Sequence, residues 1–378
     1  MSGIYIHIPF CRQACSYCDF YFVTQQQYRS DYVDSLVEEI RYYGDSKYAH
    51  EPVHTIYVGG GTPSLLKPAE LERILQALGN NFDLQPQEIT VEMNPDDVSA
   101  DYLAALRNLG VNRSSMGVQS FKPELLEFMH RAHNRDDALR CLELLRSAEF
   151  DTFTVDLIYG NPGQSPDDLR QDLDRLLSFD PPHVSAYSLT IETGTRLGKQ
   201  VELGRLRPPG EEKVAHHFDL VVNKLRDAGL YQYEVSNYSK PGHEAVHNSR
   251  YWNHQNYLGL GPAAHSFWWD EKATRWKNRP DLKSYLHEQP GQLREEEEEL
   301  GLEELAEERL MLGLRTREGV TFQELEERYR YMFSDAQLTY LETKAGEGKI
   351  ERKNGTIRFT HEGLKIADTL ILDIVTLH

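Results

Sequence analysis

Short runs of β-branched and aromatic residues alternate with longer stretches in which apolar side chains recur every three to four positions. The alternation runs through the first 236 residues. The short runs predict strands at 4–8, 53–58, 88–92, 112–118, 152–158, 183–189 and 231–235. The helical period covers 28–43, 68–78, 100–109, 135–148, 166–177 and 211–228. Ser99 before ADYLAALRNLG and Ser165 before PDDLRQDL supply N-cap oxygens, and Gly110 supplies a C-cap. Six or seven strand–helix units in tandem predict an α/β fold with parallel strands covered by helices. A full or partial (β/α) barrel is the preferred form, and an open doubly wound sheet is the alternative.

The rhythm breaks at residues 237–298. The stretch 237–292, rich in His, Asn, Tyr, Trp, Gly and Pro, predicts long irregular loops laid on the barrel. The acidic run REEEEELGLEE at 294–304 reads as a solvated linker or an exposed helix start. From 299 to 378 the pattern changes to helices near 303–314, 321–331 and 335–345, then a hairpin turning at Asn354-Gly355. That order predicts a small winged-helix-like C-terminal unit. Its 16 acids against 11 bases are the wrong balance for a DNA-binding wing. The expected division is therefore 1–236, 237–298 and 299–378.

Composition narrows the function classes. Of 378 residues, 41 are Lys or Arg and 60 Asp or Glu, a formal charge of −19, which repels a phosphate backbone and argues against nucleic-acid partners. No apolar run reaches the ~18 to 20 residues of a membrane span. MSGIYIHIPF has no basic segment leading into an apolar one, so no secretory leader is expected. Four cysteines are too few for a disulfide scaffold, and a reduced, cytoplasmic protein is expected.

Three of those cysteines, Cys11, Cys15 and Cys18, fall in IYIHIPFCRQACSYCDF, where a strand runs into C-x3-C-x2-C. Thiolates this close on a loop hold a metal or a cluster. Zinc needs four ligands and would have to borrow one, from His7 for instance. Three thiolates suit a [4Fe–4S] cube with one iron left open for a ligand. Cys141, alone in a helical run, reads as a buried structural thiol.

Beyond the cysteines, Gly59-Gly60-Gly61-Thr62 closes the second predicted strand, where barrels build their sites. Polar residues recur at other strand ends: Glu92 in ITVEMNPDD, Gln119 in SMGVQSF and Asp156 in TVDLIYGNPGQ.

With Tyr17 directly before Cys18, the motif C-x3-C-x-(aromatic)-C resembles that of the radical S-adenosylmethionine (SAM) superfamily. The resemblance implies a partial (β/α) barrel of radical SAM type, with Cys11, Cys15 and Cys18 holding a [4Fe–4S] cluster whose open iron chelates SAM. Over nearly the whole chain it narrows to the HemN/HemW branch. Carried over residue by residue, that branch implies SAM contacts at Tyr5, Gly60, Gly61, Thr62, Glu92, Gln119, Arg131 (in FMHRAHN) and Asp156.

Within the branch two readings compete, a coproporphyrinogen III oxidase and a haem chaperone. Oxidase-type members carry a further cysteine two residues after the third ligand, where this chain has Phe20. They also carry an N-terminal extension, whereas this sequence starts ten residues before Cys11. The segment HNSRYW at 247–252 resembles the H-N-x-x-Y-W motif of the chaperone side and implies haem contact through His247. Tyr251 and Trp252 are then expected against the macrocycle, and Arg250, Arg275 or Arg279 at its propionates. His216, His217, His243, His254 and His265 are rival ligands, of which adjacent His216 and His217 cannot both face inward on a helix. The chaperone reading brings haem as cargo and acceptor haem proteins as partners.

Overall fold

A computed structural model describes residues 2–377. Six parallel strands pair in chain order: β1 (Ser2–Ile8), β2 (Val53–Gly60), β3 (Leu84–Met93), β4 (Arg113–Gln119), β5 (Thr152–Tyr159) and β6 (His183–Ser188). The crossovers are α1 (Arg29–Gly44), α2 (Pro68–Asn81), α3 (Ala100–Asn108), α4 (Pro123–Phe128), α5 (Arg135–Ser147) and α6 (Pro166–Leu177). After β6 come α7 (Arg196–Glu202) and α8 (Glu211–Asp227). This is the partial (β/α) barrel expected from the period. Because the strands are parallel, their C-terminal ends gather on one rim, and the loops after β1 and β2 and the end of β4 meet there.

Local signals work as expected. Ser99 and Ser165 accept from the backbone N–H groups of Tyr102 and Asp168, and the Asp168 carboxylate closes a capping box on α6. Gly110 follows α3 with φ +88°. The last predicted strand is shorter than its 231–235 run. β7 (Tyr231–Gln232) pairs antiparallel with β8 (Asn237–Ser239), and β8 closes on β6.

The stretch expected to be irregular is regular. After α9 (Val246–Trp252), β9 (Tyr257–Leu260) joins the other edge of the barrel sheet, parallel to β1. Antiparallel strands β10 (His265–Trp269) and β11 (Ala273–Asn278) follow, then α10 (Leu282–His287) and β12 (Arg294–Leu300). The acidic run is thus the edge strand β12, not a linker. Lys272, Arg275, Lys277 and Arg279, on β11 or directly flanking it, meet Glu299, Glu298, Glu296 and Glu295 across the ladder at 2.6–2.8 Å. Charge density that reads as solvation in sequence is matched by a basic neighbour that only pairing reveals. Buried Glu39 on α1 anchors this extension, accepting from Asn278 Nδ2 (2.6 Å), the Gly261 amide (2.8 Å) and Tyr285 Oη (2.7 Å).

The C-terminal unit carries α11 (Leu302–Gly313), β13 (Val320–Thr321), α12 (Phe322–Tyr329), α13 (Asp335–Gly346), β14 (Ile350–Lys353) and β15 (Thr356–Phe359). Asn354 and Gly355 both take positive φ, the two-residue turn their sequence predicts. Two helices the period did not single out end the chain, α14 (His361–Leu364) and α15 (Ala367–Thr376), the latter holding the apolar TLILDIVT run. Their apolar faces join a second core with Leu305, Leu310, Leu325, Leu341 and Ile357, which also takes in Phe267, Ala273 and Leu300 of the extension.

Candidate functional site

A cavity of about 460 Å³ opens on the C-terminal rim of the barrel. Cys11, Cys15 and Cys18, all free and half-buried on the loop after β1, line its mouth. Gly60, Gly61, Thr62, Glu92, Gln119, Arg131 and Asp156 line its wall, so seven of the eight expected SAM contacts converge with all three cysteines.

The glycine turn is sterically dictated. Gly60 has φ +110°, and a Cβ there would meet His7 Nδ1 at 2.7 Å. On Gly61 a Cβ would meet the Phe10 carbonyl oxygen at the same distance, against the backbone that feeds the cysteine loop. Glu92 sets the turn from the next strand, accepting the Gly60 N–H at 3.0 Å and the Tyr57 hydroxyl at 2.6 Å. Burial pushes the Glu92 carboxyl up to about 7 and that of Asp156 up to about 6. Two acids held partly protonated in one cavity suit a cationic ligand, which returns them to the ionised form.

Arg131 ties the wall to the cysteines. Its guanidinium donates to Asn94 Oδ1 (2.6 Å), the Gly117 carbonyl (3.0 Å), Tyr17 Oη (3.3 Å) and Cys15 Sγ (3.5 Å). Asn94 Nδ2 donates to Thr62 Oγ1, and that hydroxyl lies 3.6 Å from Cys11 Sγ. Two polar atoms on this wall, Arg131 Nε and Gln119 Oε1, are buried without a partner, and Gln119 is held at φ +66°. A polar ligand in the cavity satisfies both.

Burial raises the Cys11 and Cys18 thiols, to about 11 and about 12. Thiolates there form with a metal, not before it. Among the described residues, the set that brings three donor atoms within 4.8 Å of one another is Asp219, His361 and Glu362, not the cysteines. Sulfurs spread more widely fit the corners of a cluster better than a single zinc ion. His7, the conceivable fourth zinc ligand, has Nδ1 on Tyr5 Oη (3.0 Å) and Nε2 on the Tyr21 carbonyl (2.8 Å). Cys141 is fully buried on α5 with Met116.

Tyr5 and His247 depart from the expected contact set. Tyr5 turns its hydroxyl to His7 and stacks on Tyr57, and Tyr57 stacks in turn on His247. His247 is completely buried on α9, with Nδ1 2.9 Å from Thr55 Oγ1 and Nε2 2.7 Å from Tyr251 Oη. Burial, with the Arg250 charge beside it, pushes its pKa down to about 3. The ring is neutral and fully engaged, so in this arrangement it offers haem no free nitrogen. Its motif neighbour Asn248, not His247, reaches the cavity.

The arginines expected at propionates are committed elsewhere. Arg250 is buried on Thr55 and Gln255, Arg275 pairs with Glu298 and Glu308, and Arg279 pairs with Glu288 and Glu295. Of the rival histidines, His217 is buried and His216 exposed, as the helical setting requires. His243 contacts Thr152, His254 lies between Glu308 and Tyr329, and His265 is exposed. Asn94 and Tyr57 join the motif aromatic Tyr17 in a supporting frame, and sequence reasoning left those two unassigned. Asn94 sits two residues after Glu92 in the same motif, which was the available signal.

Residues 5–176 match the family model of the radical SAM superfamily, and residues 300–366 match that of the HemN C-terminal domain. The chain is 34% identical over 371 residues to "Heme chaperone HemW" of Lactococcus lactis subsp. lactis (strain IL1403), covering 98% of this chain and 96% of that protein. It is 35% identical to the protein of the same name from Bacillus subtilis (strain 168), covering 96% of each. "Radical S-adenosyl methionine domain-containing protein 1, mitochondrial" of Danio rerio is 31% identical across 99% of this chain and 87% of that protein. The solved structure of Escherichia coli coproporphyrinogen III oxidase (HemN), a radical SAM enzyme, matches with a TM-score of 0.84 over 99% of this chain and 90% of that one. At 24% identity this likeness speaks for the fold. Kinship that runs from the cysteine loop to the last core helices leaves one placement: the chain belongs to the radical SAM superfamily and, within it, to the HemW family.

Proposed function

We propose that this chain is a haem chaperone that binds haem and passes it to acceptor haem proteins, with a SAM-bound [4Fe–4S] cluster in its barrel. The observation that carries the reading is similarity along the full length to proteins named heme chaperone HemW. Phe20 supports it, standing 67% exposed at the cavity mouth where oxidase-type sequences place a further cysteine.

Cys11, Cys15 and Cys18 would hold the cluster in this reading. Such a cluster would supply one-electron reducing power toward bound SAM. The chain's own part is positional. Gly60 and Gly61 let backbone approach the ligand, and Glu92 and Asp156 face its cationic groups. Gln119 and Arg131 meet its polar and carboxylate groups, while Tyr5 and His247 act one layer behind, through Tyr57. A cytoplasmic setting belongs to the same proposal, supported by the free thiols. No helix among the described residues is long and apolar enough to cross a membrane.

The test is one anaerobic preparation, reconstituted with iron and sulfide and supplied with SAM and a reductant. Coproporphyrinogen III conversion is followed beside haemin titration and haem transfer to an apo haem protein. Saturable haemin binding with transfer and without porphyrinogen turnover is expected. Multiple turnovers of coproporphyrinogen III would replace the chaperone by the oxidase.

A further inference from the structure

A second cavity, about 490 Å³, lies between the barrel and the C-terminal unit, where Glu234 after β7 bridges to Thr316 after α11. Arg226 of α8, Arg315, Arg317 and Arg358 of β15 line it, against two acids, Glu234 and Glu351. In a chain of formal charge −19, four guanidiniums gathered on one cleft are a local concentration of base. The guanidiniums meet carboxylates on the surface: Arg226 with Asp227, Arg315 with Asp368, Arg317 with Glu318 and, at 3.6 Å, Glu244, and Arg358 with Glu351. Asp227, Asp368 and Glu318 are mostly exposed, with side chains 71%, 93% and 63% accessible. Such pairs are worth little in water and are readily exchanged for carboxylates of a ligand.

Two further features define what fits. Val222, Phe359 and Leu364 give the cleft an apolar wall, which a free phosphate has no use for. Glu234 is 2% exposed beside Asn237, and its Oε2 accepts the Ser236 N–H at 3.1 Å while its Oε1 has no partner among the described residues. Burial raises this carboxyl to about 7, so near neutral pH a large share of it carries a proton to donate. Arginines, a carboxylic acid O–H and an apolar wall together describe an amphiphile with clustered carboxylates.

We propose that this cleft receives the propionate edge of haem, the arginines taking its carboxylates and the apolar wall the adjoining rim of the macrocycle. The proposal rests on the chaperone reading and supplies the arginines that Arg250, Arg275 and Arg279 do not. It also puts the cargo on the seam between the barrel and the C-terminal unit.

Haemin and haemin dimethyl ester are titrated against the full reconstituted chain and against Arg226→Gln/Arg317→Gln, with inorganic phosphate as competitor. Both arginines are about half exposed, with side chains 57% and 46% accessible, so the fold tolerates the change; far-UV circular dichroism and the cluster absorption check it. Haemin affinity is expected to fall about tenfold in the double variant, and the ester to bind wild type correspondingly weakly. The ester arm needs no substitution and stands if the variant misfolds. Equal binding of haemin and ester by wild type, or unchanged haemin affinity in the folded variant, overturns the cleft assignment and leaves the chaperone reading in place. Displacement of haemin by millimolar phosphate assigns the cleft to free anions and overturns it as well. Wild type that binds no haemin at all takes down the chaperone reading itself, and this proposal with it.

Discussion

Glu92 shows how much of the rim hangs on one side chain. It fixes the glycine turn through the Gly60 amide and is itself fixed by Tyr57, whose ring lies between those of Tyr5 and His247. Tyr57→Phe keeps the stack and removes one donor from the carboxylate. SAM affinity, measured calorimetrically on reconstituted protein, should fall about tenfold with little change in thermal midpoint. The raised carboxyls of Glu92 and Asp156 set a pH dependence. In the ligand-free fold they keep protons that the unfolded chain releases at lower pH. Their contribution to stability is therefore complete below the unfolded pKa values and is lost as pH rises through about 6 and about 7. Between about pH 5 and 7.5 the urea midpoint of wild type should fall relative to that of Glu92→Gln, because buried neutral histidines such as His247 contribute with the opposite sign but equally in both proteins. A difference between the two curves that stays constant over that window would contradict the raised Glu92 carboxyl.

At the scale of elements, the extension from β9 to β12 is held by two different devices. Glu39 is a buried hub, and Glu39→Ala strands three donors, the Gly261 amide, Asn278 Nδ2 and Tyr285 Oη. A loss of roughly 3 kcal/mol in urea unfolding is expected. The β11–β12 ladder is exposed and works by charge. Glu298→Lys puts like charge opposite Arg275 and should cost about 1 kcal/mol, a penalty that shrinks in 1 M salt. A salt-independent penalty would mean that packing, not the ion pairs, holds the edge. The same acids keep β12, an unpaired edge, from pairing with another chain.

Across the whole molecule, the cysteine loop is a passenger on the core. Cys11, Cys15 and Cys18 are half-buried and belong to none of the apolar clusters, whereas Ile4, Ile6, Ile8 and Phe10 just before them are completely buried. Cys15→Ala should accordingly abolish the visible absorption of the cluster while leaving the far-UV spectrum unchanged. A retained absorption spectrum would remove Cys15 from the ligand set. The two units are joined by polar contacts, Asp219 with His361 and Lys365, and Arg309 with the Trp252 carbonyl, beside the second core that reaches into β10–β12.

The barrel was legible in the sequence because strand and helix periods and cap residues are local, so helix α6 ends where its pattern ends and Asn354-Gly355 turns where only left-handed residues are tolerated. So was the cysteine motif, since its ligands lie within eight residues. Tertiary structure alone decided whatever depends on a partner distant in sequence. The glutamates of 295–299 became a strand because basic residues at 272–279 lie opposite. His247 turned from a candidate ligand into a buried post because Thr55, 192 residues away, and Tyr251 take both of its nitrogens. Four arginines from three separate stretches became one cleft for the same reason. Hydrogen bonds and Coulomb forces act over a few ångströms of space, and the chain's linear order records only the neighbours along it.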